Sequence, residues 1–107
     1  MVDFHSKSID NLFTAILTLK NIEECYDFFE DACTIKELTE IAQRLEVAKL
    51  LDQGESYSVI STKTGASTAT ISRVNKCLTY GADGYKLVMD RLKGGEQNEE
   101  WFNYKHH

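Results

Sequence analysis

Apolar residues recur at helical spacing through the first half of the chain. From Ser8 to Lys20 they are Ile9, Leu12, Phe13, Ile16, Leu17 and Leu19, behind a polar start that can cap, and this pattern predicts a first helix. Ile22 to Cys33 repeats it through Ile22, Tyr26, Phe29 and Cys33, with Phe28 widening the stripe and Asn21 placed to act as N-cap. Thr34 followed by Glu37 reads as a capping box, in which hydroxyl and carboxylate satisfy each other's backbone donors. It opens the longest predicted helix, Ile35 to Gln53, whose apolar positions are Ile35, Leu38, Ile41, Ala42, Leu45, Ala48 and Leu51 or its neighbours, and which closes at Gly54. The chain contains no proline, so nothing in it forbids long helices.

Beyond Gly54 the segments shorten. Ser56 to Thr64 is helix-compatible, with Val59 and Ile60 directed inward; Gly65-Ala66-Ser67 follows as a turn; and the next segment, 67–79, has Ile71, Val74 and Leu78 on its inner face. Helix, glycine-bearing turn, helix is the plan of the motif whose second helix enters the major groove of DNA. The front of that second helix is small and polar. Ala66, Ser67, Thr68, Ala69, Thr70 and Ser72 can approach base edges, with hydroxyls for bases or phosphates and methyl groups for thymine, while Arg73 and Lys76 can reach phosphates. An ordinary surface helix with a Ser/Thr cap would look similar in isolation.

Charge separates the two readings. The net charge of -5 argues superficially against nucleic acid. Its distribution is uneven: residues 1–53 carry 5 Lys/Arg against 11 Asp/Glu, whereas residues 54–80 carry Lys63, Arg73 and Lys76 against Glu55 alone. A local cationic patch attracts phosphate, and the acidic remainder limits non-specific affinity.

Other classes are disfavoured. The three histidines, His5, His106 and His107, lie at the chain ends, and no His/Cys/Asp cluster has ligand spacing, so neither a metal site nor an enzyme's acid–base pair is expected. Cys25, Cys33 and Cys77 form no C-x-x-C pair and are expected as buried or half-buried free thiols. No apolar run is long enough to span a bilayer and the N-terminus does not read as a secretory signal, so a cytoplasmic protein is expected.

The run Gly65-Ala66-Ser67-Thr68-Ala69-Thr70-Ile71-Ser72-Arg73 resembles the recognition-helix signature of the Trp repressor family, Gly-Ala-Gly-Ile-Ala-Thr-Ile-Thr-Arg. Thr34 to Gly54, with Ala42-Gln43-Arg44-Leu45 and Leu50-Leu51, is similar to that family's Thr-capped third helix. The resemblance covers about residues 8–93 and implies an all-α, six-helix Trp-repressor-like fold that pairs as an intertwined homodimer and represses transcription from double-stranded DNA. The wide, aromatic-rich faces of the first two helices independently favour a homodimer over a monomer with those faces folded inward. A Trp-repressor-like DNA-binding domain is thus expected over residues 1–93. Residues 94–107 form a polar C-terminal tail whose Trp101, Phe102 and Tyr104 either dock on a partner subunit or are terminal aromatics.

The resemblance also implies an effector pocket. In Trp repressors two arginines and the start of the third helix hold L-tryptophan; the matching positions are Arg44, Arg73 and Thr34. A small carboxylate effector would pair with the arginines, and an acidic side chain of the other subunit is the alternative partner. Two departures stand against tryptophan itself: Val74 occupies the place of a glycine beside the indole, and the stretch from Gly54 to Gly65 is one residue shorter than usual. A family member without tryptophan control is the preferred description. A helical protein-interaction module without DNA binding is the competing function.

Overall fold

Six helices and no strand make up residues 4–94, the part of the chain that the computed structural model describes: α1 (Lys7–Ile16), α2 (Ile22–Ala32), α3 (Ile35–Asp52), α4 (Tyr57–Thr64), α5 (Thr68–Tyr80) and α6 (Gly84–Gly94). The aromatic tail lies outside the described residues.

Local chemistry sets the ends of the helices. Ser6 Oγ accepts the Ile9 N–H at 3.1 Å and starts α1. This helix stops at Ile16, short of the expected Lys20, because the following residues bond elsewhere. Thr18 and Leu19 donate their amides to Ala15 and Ile16, three residues back, tightening the last turn. The Lys20 N–H is taken by Glu24 Oε1 at 2.8 Å, while Asn21 Oδ1 accepts the Glu24 N–H at 2.9 Å, so Lys20 already belongs to the start of α2. At α3 the capping box is complete: the Glu37 N–H donates to Thr34 Oγ1 at 3.1 Å and the Thr34 N–H donates to Glu37 Oε1 at 2.9 Å. The other end of α3 closes with Gly54 in the left-handed conformation, its amide on the Leu51 carbonyl and that of Glu55 on the Leu50 carbonyl.

The chain divides into two compact units, the second beginning at Thr39. In the first, neither α1 nor α2 contains a buried residue. Phe28 and Phe29 meet edge to face, their centroids 5.1 Å apart. Leu17, Ile22 and Ile35 are 84%, 71% and 85% exposed. A groove of about 240 Å³ is lined by Ile22, Cys25, Tyr26, Phe29 and Leu38.

The second unit holds the core: Val47, Ala48, Leu50, Ile60, Ala66, Ile71, Val74 and Met89, with Leu51, Leu78 and Tyr85 packed against it. Here α3 departs from the expected stripe. Ile41 and Ala42 are exposed, while Val47, Ala48, Lys49 and Leu50 are all buried, so this end of the helix is enclosed on every side rather than along one face. Asp52 and Lys93 tie α3 to α6 at 2.8 Å, and the aspartate raises the lysine's pKa; both groups are well exposed, so the pair contributes little. The cysteines are free, but Cys25 and Cys77 are exposed and only Cys33 is half-buried, which corrects the expectation of sheltered thiols. On α5 it is Ile71 and Val74, not Cys77, that face the core, and α2 buries no residue at all. No helix among the described residues is long and apolar enough to cross a membrane.

Hydrogen bonds from Thr34, first its backbone amide and then its hydroxyl contact, hold the Glu37 carboxyl below its ordinary value of 4.5. A lowered folded pKa stabilises the folded chain above the ordinary value, and that contribution disappears as pH falls through the lowered one. Glu37→Gln should therefore flatten the acid limb of a plot of thermal midpoint against pH below 4.5. Parallel acid limbs in the two proteins would show that the box makes no pH-dependent contribution.

Candidate nucleic-acid interface

The segment from Ser56 to Tyr80 forms its two helices through matching caps. Ser56 Oγ accepts the Val59 N–H at 3.2 Å, and Ser67 Oγ accepts the Thr70 N–H at 3.2 Å. Between them α4 ends on Gly65 at φ 74°, the left-handed conformation that an L side chain resists; a Cβ there would meet no atom, so the backbone angle alone favours glycine. Thr64 secures the turn. Its hydroxyl donates to the Ile60 carbonyl at 2.7 Å and accepts the Ala66 N–H at 3.1 Å, and its carbonyl accepts Gln43 Nε2 of α3 at 3.1 Å.

Ala66 differs from its expected role. At 2% exposure it belongs to the core, so its methyl group packs inward and is not offered to a groove. The backbone reversal at Gly65 carries the next side chain beneath the turn, which the pattern of small polar residues did not reveal. Ser67 is exposed but engaged as the cap, and its hydroxyl donates to Thr70 Oγ1 at 3.1 Å. Thr70, half-buried, therefore accepts that bond and keeps its own proton for another acceptor.

Along α5 the inner residues Ile71 and Val74 are buried and Leu78 half-buried. At 3.6 residues per turn, the opposite face carries Ala69, Ser72, Arg73, Lys76 and Tyr80, with Thr68 at its leading edge. Thr68, Ala69, Arg73 and Lys76 are exposed and Ser72 is half-buried. Tyr80, 83% exposed on the same stripe, was not among the expected residues, although its position four after Lys76 could have singled it out. Among the described residues Lys63, Arg73 and Lys76 form no ion pair.

The expected effector residues lie just before α3, within it and on α5. Thr34 lies in the first unit, with hydroxyl and amide both engaged by Glu37. Arg44 is half-buried on α3 and Arg73 exposed on α5, and neither makes an ion pair among the described residues. None of the three lines the apolar groove of the first unit. No group of His, Cys, Asp or Glu suited to a metal ion occurs among the described residues.

A family model described as Trp repressor protein matches residues 7–93. The uncharacterized protein YerC of Bacillus subtilis is 58% identical over 90 residues, which span 84% of this chain and 86% of that protein. Two crystal structures share the fold with a TM-score of 0.80. One is a candidate Trp repressor from Staphylococcus aureus, 51% identical, covering 82% of this chain and 88% of its own. The other is a TrpR like protein from Eubacterium eligens, 56% identical, covering 81% and 90%.

Proposed function

The chain belongs to the Trp repressor protein family, and from that premise we propose that it is a cytoplasmic, homodimeric transcriptional repressor that reads the DNA major groove with α5. The observation that carries this reading is the outer face of α5. Small groups at Thr68, Ala69 and Ser72 stand beside the cations Arg73 and Lys76, which form no ion pair among the described residues, while Ile71 and Val74 hold the opposite face in the core. Small side chains let a helix approach base edges, and cations behind them fix its register on phosphates. Ser67 contributes by capping the helix, and Thr70 by a hydroxyl proton available to a base or phosphate.

The first unit supports the pairing of two chains. Leu12 and Phe13 of α1 and Ile22 and Tyr26 of α2 are left in water, a surface that an isolated monomer gains nothing by exposing and that a second copy can cover. Light scattering at low micromolar concentration should return the mass of two chains; a single-chain mass would refute the dimer.

Binding to duplexes selected from a random pool tests the reading face. Ala69→Glu sets a carboxylate against DNA and should cost about 1–3 kcal/mol on the selected sequence. Replacing Arg73 and Lys76 by alanine should instead weaken all duplexes alike and reduce the salt slope by about one unit per cation. Undiminished binding by Ala69→Glu would remove α5 from the groove. A wild-type protein without salt-dependent duplex affinity would favour a protein-interaction module.

For the effector, we propose that Thr34, Arg44 and Arg73 either take a small carboxylate or stand closed, with L-tryptophan bound weakly or not at all. Val74 supports this: its side chain is 1% exposed within the core, filling space that a flat indole would need. Calorimetry with L-tryptophan on the native protein should show little heat, and the Val74→Gly variant should show more. Tight binding by the native protein, with a gain in operator affinity, would restore full tryptophan control.

A further inference from the structure

We infer that Gln43 is a positioning residue for the reading head, setting how the α4–α5 turn sits on α3; the inference rests on α5 being the DNA-reading helix. The bond from Gln43 Nε2 to the Thr64 carbonyl, 3.1 Å long and half-buried, joins residues 21 positions apart, unlike the caps, which act within one turn. Thr64 ends α4, so its carbonyl is one of the terminal acceptors that the helix itself leaves unpaired. A carbonyl only accepts, which means the side chain facing it must donate, and glutamine supplies a donor without charge.

Thr64 is also the residue whose hydroxyl holds the Ala66 N–H. Gln43 therefore fastens one side of a turn whose other side is fixed by Ala66 in the core, and α5 begins two residues later at Thr68. Gln43 sits one helical turn before Val47, which is fully buried. The scaffold helix thus controls the turn through two dissimilar contacts, one apolar and one polar. Losing the polar contact should leave the core intact while allowing the turn, and the direction of α5 with it, more freedom.

Three proteins test this: wild type, Gln43→Met, which keeps the length but loses the donor, and Gln43→Glu. In the DNA-free protein, amide exchange at Gly65 and Ala66 should quicken roughly 3- to 10-fold in Gln43→Met, the factor expected for one neutral hydrogen bond, with Ile71 unchanged. Affinity for the selected duplex should fall by a similar factor with the salt slope unchanged, because no phosphate contact is lost. Gln43→Glu presents two acceptors to a carbonyl at neutral pH, so its turn amides should exchange faster still. After correction for intrinsic exchange, they should recover toward wild type in acid as the carboxyl regains a proton to donate. Unchanged exchange at Gly65 and Ala66 in Gln43→Met would overturn the inference, as would uniform acceleration through Ile71, which marks general destabilisation. If wild type binds no duplex, the DNA-reading proposal fails, while exchange in the free protein still decides whether Gln43 holds the turn.

Discussion

The direction of α5 depends on the burial of one alanine. Ala66 occupies the turn between α4 and α5, where a chain reversal would ordinarily face water, yet it packs with Val47, Ala48, Leu50, Ile60, Ile71, Val74 and Met89. To place that methyl group inward the preceding residue must take a left-handed conformation, which explains glycine at 65. With Ala66 fixed below and Ser67 capping above, α5 leaves the turn in a defined direction. Its outer stripe is then determined by helical geometry alone.

The two units solve the burial problem differently. Residues 47–50 of α3 are enclosed on all sides, and the second unit's short helices share one contiguous core. Neither α1 nor α2 has such an interior, and their apolar positions remain in contact with water. Capping holds these helices in shape without any buried side chain: Ser6 and Asn21 meet orphan amides by local hydrogen bonds. Their local form is complete while their apolar surface is left without an interior to enter.

Electrostatics reinforce that separation. The acidic excess lies before Gly54 and the cations of the helix-turn-helix lie after it, so attraction for a polyanion is confined to one short segment of an acidic protein. Among the described residues ion pairing does not touch it, since neither the Lys93–Asp52 nor the Lys86–Asp83 contact engages Lys63, Arg73 or Lys76.

Much of this was legible from sequence because it is local. Caps, helical periodicity and glycine stops act within four or five residues, and they located Asn21, Thr34 with Glu37, Gly54 and Gly65 at their structural roles, whereas Ser67, expected to face DNA, is the cap of α5. The resemblance of residues 65–73 to Trp repressors, carried by contiguous residues, gave the family. What sequence could not supply was whatever depends on residues far apart along the chain. The inward turn of Ala66, the enclosure of residues 47–50 and the bond from Gln43 to Thr64 each need two or more elements already packed. A pattern of small polar residues does not distinguish a side chain that reaches a groove from one folded beneath a turn. Periodicity finds one apolar stripe and misses a helix end buried all round, and only the packed tertiary structure decided both, since burial belongs to the assembled core and not to any segment.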